Sequence, residues 1–257
     1  MTEGLRHLTH DAVARLIAAA NSVLAITGTG LAAECGLVHY RGFPGIQRTL
    51  TEDGKRFDVA LAAETLQAQP HVTWKLLLEM DAALRAVRPS RGHEVLVELE
   101  RRVERFTILT TNVDRMHQRA GSRNVIEMHG AMYDLACTRC ELVRRHTTFE
   151  KLEIVPACAT CGGVLRPAMT LFGEPLRDEP FAALQDELDR GVDLVLAIGV
   201  ITLFPYTARP VLLAKQAGIR TVEIGQQQTD VSDLVDLRLR GSPASSLATI
   251  YERFVAS

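Results

Sequence analysis

Short apolar runs alternate along the chain with longer stretches in which apolar residues recur every three or four positions. The apolar runs cover residues 23–26, 106–110, 194–198 and 221–224. Runs of this length predict strands that are buried on both faces of a parallel sheet. The longer stretches predict amphipathic helices, and they cover residues 9–20, 92–102, 179–190 and 209–217. This alternation predicts an α/β fold built on a doubly wound, Rossmann-like parallel sheet.

Two segments interrupt the alternation. Residues 43–90 show no convincing strand and are predicted to be a loop followed by helices, of which 73–86 is the clearest. Residues 134–166 form a short, loop-rich piece that holds four of the five cysteines. We predict that both segments are insertions that pack together as a small domain. The large domain then consists of residues 1–42, 91–133 and 167–257.

The paired cysteines form the most specific local motif. Cys137 and Cys140 make one Cys-x-x-Cys pair, Cys158 and Cys161 make the other, and 17 residues separate the pairs. Two such pairs can present four sulfur ligands to one tetrahedral zinc ion, which leaves no open position for water or substrate. The pattern therefore predicts a structural zinc site, with a redox pair or a chance arrangement as the alternatives. The fifth cysteine, Cys35, is predicted to be a small buried residue.

A glycine-rich turn follows the first apolar run. Gly28-x-Gly30-x-x-Ala33 fits a loose dinucleotide fingerprint, in which glycines allow the backbone to approach a pyrophosphate closely. A single match of this kind is a weak signal. The acidic residue that a dehydrogenase would need about 20 positions later would be Glu52 or Asp53. Neither follows a predicted strand, so a conventional Rossmann dehydrogenase is disfavoured.

Polar side chains also follow the second apolar run. Asn112 and Asp114 come directly after residues 106–110, where side chains of an open parallel sheet face the ligand crevice. Both residue types also form turns, and this alternative stays open. His129 precedes the cysteine-rich segment. A lone histidine is more often structural than catalytic, although its ordinary pKa near 6.5 suits a general base.

The composition excludes several function classes. The chain has 257 residues, of which 47% are hydrophobic and 23% charged, and its formal net charge is −2. This balance argues against nonspecific nucleic-acid binding. No apolar run approaches the roughly 18 residues of a membrane span, and the first residues lack the apolar stretch of a signal peptide. We therefore expect a cytoplasmic protein without a nucleic-acid or membrane partner; its oligomeric state stays open, with a monomer favoured.

A series of short motifs, each present once, follows a fixed order over residues 12–250. They are Gly28-x-Gly30 through Glu34 and Gly36, Tyr40-Arg41-Gly42, Gly92-His93, Asn112-Val113-Asp114 with His117, Ala120-Gly121-Ser122, Glu127-Met128-His129-Gly130, the four paired cysteines, Arg166-Pro167, Phe172-Gly173-Glu174-Pro175 and Gly199. In this order, and with the cysteines in this place, the chain resembles an atypical, bacterial-type member of the sirtuin family of NAD-dependent protein deacylases.

The resemblance implies a reaction and a set of roles. NAD is consumed, and an acyl-lysine protein or peptide yields free lysine, nicotinamide and O-acyl-ADP-ribose. His129 is the implied general base, with Asn112 and Asp114 as further catalytic residues. The implied NAD-binding residues are Gly28, Thr29, Gly30, Ala33, Glu34, Tyr40, Arg41, Thr111, Asn112, Asp114, His129, Gly199, Val200 and Gly225. The implied substrate-binding residues are Met169, Leu171, Phe172, Gly173 and Glu174, with the peptide paired as a strand near 172–174.

The chain departs from the family at positions that face the cofactor. Ala32 replaces a serine, Thr111 a glutamine, Val200-Ile201 a threonine and a serine, and Gly225 an asparagine, while Thr29 replaces an alanine. At least four hydrogen-bonding side chains are lost or shortened, which amounts to about 2–6 kcal/mol of NAD binding. Two alternatives follow: a protein ADP-ribosyltransferase or NAD hydrolase on the same fold, and a catalytically weak module that binds NAD or ADP-ribose.

The resemblance also bears on the acyl group. Family members that prefer acidic acyl groups carry a Tyr-x-x-Arg pair in the loop after the element that Arg41-Gly42 matches. Residues 43–48 contain no tyrosine. We therefore predict a preference for acetyl or longer apolar acyl groups.

Overall fold

A parallel sheet of seven strands forms the centre of the protein. The computed structural model describes residues 6–7, 9–37, 51, 54–201 and 204–256. In spatial order the strands are β1 (Arg6–His7), β10 (Leu237–Arg240), β9 (Arg220–Gly225), β8 (Leu194–Ile198), β2 (Ser22–Thr27), β3 (Arg105–Thr110) and β4 (Val125–Glu127). Every neighbouring pair is parallel. The predicted doubly wound α/β fold is confirmed, and the strand order reverses between β2 and β8.

The described residues form ten helices; the five that the apolar periodicity predicts lie within a few residues of their expected bounds, whereas those at 116–120 and 243–255 were not predicted. The ten helices are α1 (His10–Ala19), α2 (Thr29–Ala33), α3 (Phe57–Ala60), α4 (Ala63–Ala68), α5 (Pro70–Ala86), α6 (Arg91–Glu100), α7 (Met116–Ala120), α8 (Asp178–Asp189), α9 (Pro205–Gln216) and α10 (Pro243–Val255). The largest difference is at α9, which begins four residues before the predicted start. Pro205 occupies its first turn, where a proline costs no hydrogen bond. No described helix has the combination of length and apolar character that a membrane span needs.

The central strands are apolar on both faces because each face packs against helices. In β2, Val23 and Ala25 belong to the core cluster that includes Ile17 of α1 and Leu247 of α10. The alternate residues, Leu24 and Ile26, belong to the cluster on the opposite face of the sheet. That second cluster contains Leu184, Tyr206 and Val211 from α8 and α9. Period-2 side-chain alternation therefore explains why the middle of β2 is apolar on both faces.

A second, smaller sheet carries the cysteines. Its antiparallel strands are β5 (Gly130–Cys137), β6 (Val143–Arg145) and β7 (Leu165–Met169), with β5 in the middle. Trp74 of α5 is fully buried in the core of this lobe, where its Nε1 donates to Leu165 O at 2.9 Å and its ring meets Phe149 edge-on. Residues from 57–87 and from 130–171 thus share one core cluster. The exact domain boundaries stay a prediction.

Candidate functional site

The site begins where the loops after β2 and β8 touch. Thr27 pairs with Ile198 on one side and with Thr110 on the other, so the residues that follow these strands lie side by side. Gly30 N–H donates to Gly199 O at 2.8 Å. A Cβ on Gly30 would lie 2.7 Å from that oxygen, and one on Gly199, whose φ is +59°, would lie 2.5 Å from Leu31 N. Only glycine allows this approach at the topological switch point, which is where sheets of this type bind ligands.

Two cavities meet these loops. The larger, about 650 Å³, lies between the carboxyl edge of the main sheet and the small lobe. The predicted site residues that line it are Gly28, Thr29, Thr111, Asn112, Asp114, His129, Met169, Leu171, Phe172, Gly173, Glu174 and Val200. The smaller, about 210 Å³, is lined by Gly30, Ala33, Glu34, Gly199, Val200 and Gly225. Tyr40 and Arg41 lie outside the described residues. The fold therefore gathers every other predicted NAD-binding and substrate-binding residue at two adjoining cavities, while their individual roles stay predictions.

Asn112 joins the end of β3 to the glycine loop. Its Nδ2 donates to Gly28 O at 3.1 Å, and its backbone N–H donates to Thr110 Oγ1 at 3.1 Å. The side-chain oxygen Oδ1 is buried and has no hydrogen-bond partner among the described residues. A buried acceptor without a partner is costly unless a ligand or water satisfies it. Asn112 therefore has a structural contact and a free acceptor at the same site.

Asp114 also combines two roles. Its Oδ1 accepts the backbone N–H of Met116 at 2.9 Å, as a turn-forming aspartate at the start of α7 does. The side chain is 8% exposed, and burial raises its pKa to about 6. Arg115, next in the chain, has a left-handed φ of 57° and contacts Asp134 at 2.6 Å. The tight turn thus holds the Asp114 carboxyl at the cavity wall, partly protonated near pH 6.

His129 follows β4 and faces the larger cavity. Its Nε2 lies 2.5 Å from Tyr206 Oη, and its ring meets those of Phe204 and Tyr206 edge-on at 5.7 Å. Burial lowers the pKa of His129 below its ordinary value, although a hydrogen bond with the Thr111 backbone acts in the opposite direction. His129 is therefore neutral at pH 7, as a general base must be. The sequence analysis did not identify Tyr206 or Phe204, which belong to no motif and reach His129 only because β8 and β4 end at the same edge of the sheet.

A buried pair of histidines supports the floor of the site. His117 Nε2 lies 2.8 Å from Thr27 Oγ1, and His93 Nδ1 lies 2.9 Å from Ser90 Oγ. The two rings are 4.9 Å apart and no more than 1% exposed. Burial lowers the pKa of His93 to about 4 and that of His117 well below its ordinary value. Both rings are therefore neutral in the folded protein and connect α6 and α7 beneath the glycine loop.

This pair predicts a loss of stability in mild acid. In the unfolded chain the pKa of His93 returns to about 6.5, so its neutral form stabilises the fold fully above that pH. The contribution is lost as the pH falls from about 6.5 to 4, and it amounts to about 3 kcal/mol for His93. We expect urea unfolding between pH 7.5 and 5 to show a smaller loss of stability in His93→Gln than in the wild type. Equal losses would contradict this; His71→Gln, at an exposed position, is the control.

The four cysteines converge within the small lobe. Their sulfur atoms all lie within 4.8 Å of one another, and none is in a disulfide. Backbone N–H groups donate to two of the sulfurs, from Arg139 to Cys137 and from Thr160 to Cys158. Four converging sulfurs with such donors fit a tetrahedral metal ion held by thiolates, and the donor set suits zinc. The arrangement leaves no position for a further ligand.

The segment after β7 closes the other side of the cavity. Thr170 N–H donates to His129 O at 2.8 Å, which places the segment beside the candidate base. Phe172 uses both of its backbone groups, since its N–H donates to Leu61 O and its C=O accepts from Ala63 N–H. Glu174 is held by Arg166 and by the backbone N–H of Leu171. Both backbone groups of Phe172 and the backbone N–H of Glu174, which donates to Leu171 O, are therefore not available to a peptide that adds here as a strand.

Comparison with known proteins agrees with this architecture. A sequence model described as the Sir2 family matches residues 28–202. The chain is 40% identical over 233 residues to NAD-dependent protein deacylase 2 of Pseudomonas aeruginosa, covering 89% of this chain and 91% of that protein. It is 34% identical over 238 residues to an NAD-dependent protein deacetylase of Caldivirga maquilingensis, covering 90% and 88%.

Solved structures show the same fold. A Sir2 homologue in complex with NAD superposes with a TM-score of 0.87 at 28% identity, covering 98% of this chain and 96% of that one. A mutant Sir2 homologue in complex with 2′-O-acetyl ADP ribose gives a TM-score of 0.85 at 28% identity, covering 95% and 96%. At this coverage the matches extend over both lobes. The chain belongs to the Sir2 family.

Proposed function

We propose that this protein is an NAD-dependent protein-lysine deacylase. The observation that carries the proposal is the meeting of a neutral His129, the unpartnered Oδ1 of Asn112 and the buried Asp114 on the wall of one cavity. Relatives that match nearly the whole chain are named NAD-dependent protein deacylases and deacetylases. The predicted products are free lysine, nicotinamide and O-acyl-ADP-ribose.

The loops at the switch point fit NAD. The close approach of Gly30 to Gly199 makes a cradle that any Cβ would fill, and the adjoining smaller cavity offers Glu34 and the end of β9. We propose that the pyrophosphate lies along the glycine loop and the nicotinamide end lies near Asn112 and Asp114. When bound, NAD supplies an electrophilic ribose carbon and a nicotinamide leaving group.

The residues of the larger cavity orient the reactants and move one proton. Asn112 Oδ1 has no hydrogen-bond donor among the described residues. It can therefore accept a hydrogen bond from the amide group of nicotinamide. Asp114 holds its carboxyl against the same end of the cavity. His129, neutral at pH 7 because of its burial, accepts at Nε2 the proton of a ribose hydroxyl. Without this proton, the ribose oxygen becomes a nucleophile toward the acyl carbon.

The cavity wall favours an apolar acyl group. The described lining includes no lysine or arginine, whereas it includes the carboxyl groups of Glu79, Asp114 and Glu174. An acidic acyl chain would lose its hydration there without gaining a cation. Residues in or next to α3 and α5 supply one apolar side of this wall, namely Phe57, Leu61, Leu76, Met80, Ala83 and Leu84. We propose that acetyl and longer apolar acyl groups are substrates.

The cysteine site is proposed to hold one structural zinc ion. Its four thiolates require a reducing compartment to remain ligands instead of forming disulfides. This supports the proposed cytoplasmic location.

The deciding experiment compares peptides that differ in one property of the acyl group. Butyryl-lysine and succinyl-lysine have the same number of acyl carbons, but only the second carries a carboxylate. We expect nicotinamide and free lysine to appear in equal amounts with acetyl- and butyryl-lysine peptides, and turnover of the succinyl peptide to be at least about tenfold slower. Absence of turnover with every acyl group would contradict the proposal.

A second candidate function has support in the same wall. Val200 and Ile201 place apolar side chains in both cavities, at positions where the family carries hydroxyls. The loss of these contacts motivates an ADP-ribosyltransferase, an NAD hydrolase or a module that binds NAD without turnover. In the same assay, mass spectrometry distinguishes them. Transferred ADP-ribose, free ADP-ribose without lysine release, or NAD binding without nicotinamide release would each replace deacylation.

A further inference from the structure

The hydroxyl of Tyr206 lies against the candidate general base. Tyr206 is the second residue of α9 and is 9% exposed. Its Oη is 2.5 Å from His129 Nε2, the nitrogen that the proposed mechanism uses. The ring is fixed by parallel stacking on Phe204 at 5.1 Å and by an edge contact with Phe181 at 6.0 Å. A buried phenol held on two sides therefore presents its hydroxyl in one direction only.

The donor and the acceptor in this contact follow from the rest of the site. The hydrogen bond between His129 and the Thr111 backbone favours the protonated ring, as donation from a ring N–H to a carbonyl does. Because Nε2 faces Tyr206 Oη at 2.5 Å, we assign the ring proton of the Thr111 contact to Nδ1, which leaves the lone pair on Nε2. Burial raises the pKa of Tyr206, so the phenol keeps its proton. The hydroxyl therefore donates to Nε2.

We propose that Tyr206 is a positioning residue for His129: its hydroxyl holds the imidazole with Nε2 as the basic nitrogen until a ribose hydroxyl takes its place. This inference rests on the proposed deacylase function for its kinetic consequences, but not for the hydrogen bond itself. A histidine held by two hydrogen bonds has one ring orientation and one tautomer. Without the hydroxyl only the Thr111 hydrogen bond remains, so the orientation and the tautomer of the ring are held less firmly.

Other charged groups around His129 stay in place when the hydroxyl is removed. Asp114 and Glu174 line the same cavity, and Arg177 at the start of α8 lies against Gly130. Glu127 is engaged with Arg115. Because none of these contacts involves the phenol oxygen, a difference between the wild type and Tyr206→Phe reports the lost hydrogen bond.

The test uses Tyr206→Phe, with Tyr251→Phe as the matched control on α10. In the NAD-free protein labelled with ¹⁵N-histidine, we expect the Nε2 resonance of His129 to move downfield in Tyr206→Phe and the pKa of His129 to rise. In turnover of an acetyl-lysine peptide, we expect kcat to fall about tenfold with little change in KM for NAD, and the acid limb of kcat/KM to move to higher pH. Tyr251→Phe should match the wild type in every measurement.

Two results would overturn the inference. One is an unchanged Nε2 resonance and pKa in a folded Tyr206→Phe protein, which would show that the hydroxyl does not donate to His129. The other is an unchanged kcat and acid limb despite the spectroscopic change, which would reduce Tyr206 to a structural residue. If the wild type has no deacylase activity, the spectroscopic measurements still show whether Tyr206 donates to His129. Failure of the proposed function can therefore be told apart from failure of this inference.

Discussion

Replacing His129 with alanine is expected to lower kcat for deacylation by about 100-fold or more, because the ribose hydroxyl loses its proton acceptor. The fold should survive, since His129 is only partly buried and its side chain is no part of the main core clusters. We expect unchanged zinc content and unfolding behaviour beside the lost turnover. The measurement is nicotinamide and lysine release from an acetyl-lysine peptide.

The matched control is His71→Ala, which removes an exposed histidine from the first turn of α5. It should retain the wild-type rate. If His129→Ala also keeps nearly the full rate, His129 is not the base, and the role of the Tyr206 contact falls with it. If both variants turn over more slowly than the wild type, a folding defect is the explanation. The unfolding curves of the two variants test for such a defect.

Replacing Cys158 with serine is expected to release the zinc ion and unfold the small lobe. A structural zinc site contributes on the order of 10–16 kcal/mol of apparent binding free energy, as large as the stability of a typical domain. Cys158 is 3% exposed and belongs to the core that contains Trp74 and Met169. We expect less than one zinc per chain, an unfolding temperature lower by about 10 °C or more, and no turnover, because Met169 of β7 lines the cavity.

The control is the fifth cysteine. Cys35→Ser removes a thiol outside the cysteine cluster and should keep one zinc per chain. Treatment of the wild type with a strong chelator should reproduce the Cys158→Ser unfolding curve. Full zinc content with normal unfolding in Cys158→Ser would contradict a structural role for the metal.

The fold was predictable because its signals are local. Runs such as 23–26 and 194–198 are apolar at every position, and only a strand covered on both faces requires this. The cysteine spacing was equally informative, since two Cys-x-x-Cys pairs are typical of a zinc site. The predicted start of α9 was four residues too late. The spacing of apolar residues gives no information on the first turn of this helix, which begins with a proline.

The site was predictable only as a set of candidates. Asn112 and Asp114 could have been turn formers, and the structure shows that both make local turn or loop contacts while also lining the cavity. Their order along the chain, and not any single motif, made the family resemblance specific. Tyr206 had no signal at all, because its contact with His129 spans 77 residues of sequence.

The sequence by itself determined the alternation of strands and helices, the spacing of the two Cys-x-x-Cys pairs and the presence of a histidine that can act as a base. These properties depend on residue type and spacing, which act over a few positions. The tertiary structure decided which groups meet: the glycine loop against Gly199, the phenol against His129, and the burial that makes the histidines neutral and Asp114 hard to ionise. Contact and desolvation depend on distances between segments remote in sequence, so only the folded chain sets them.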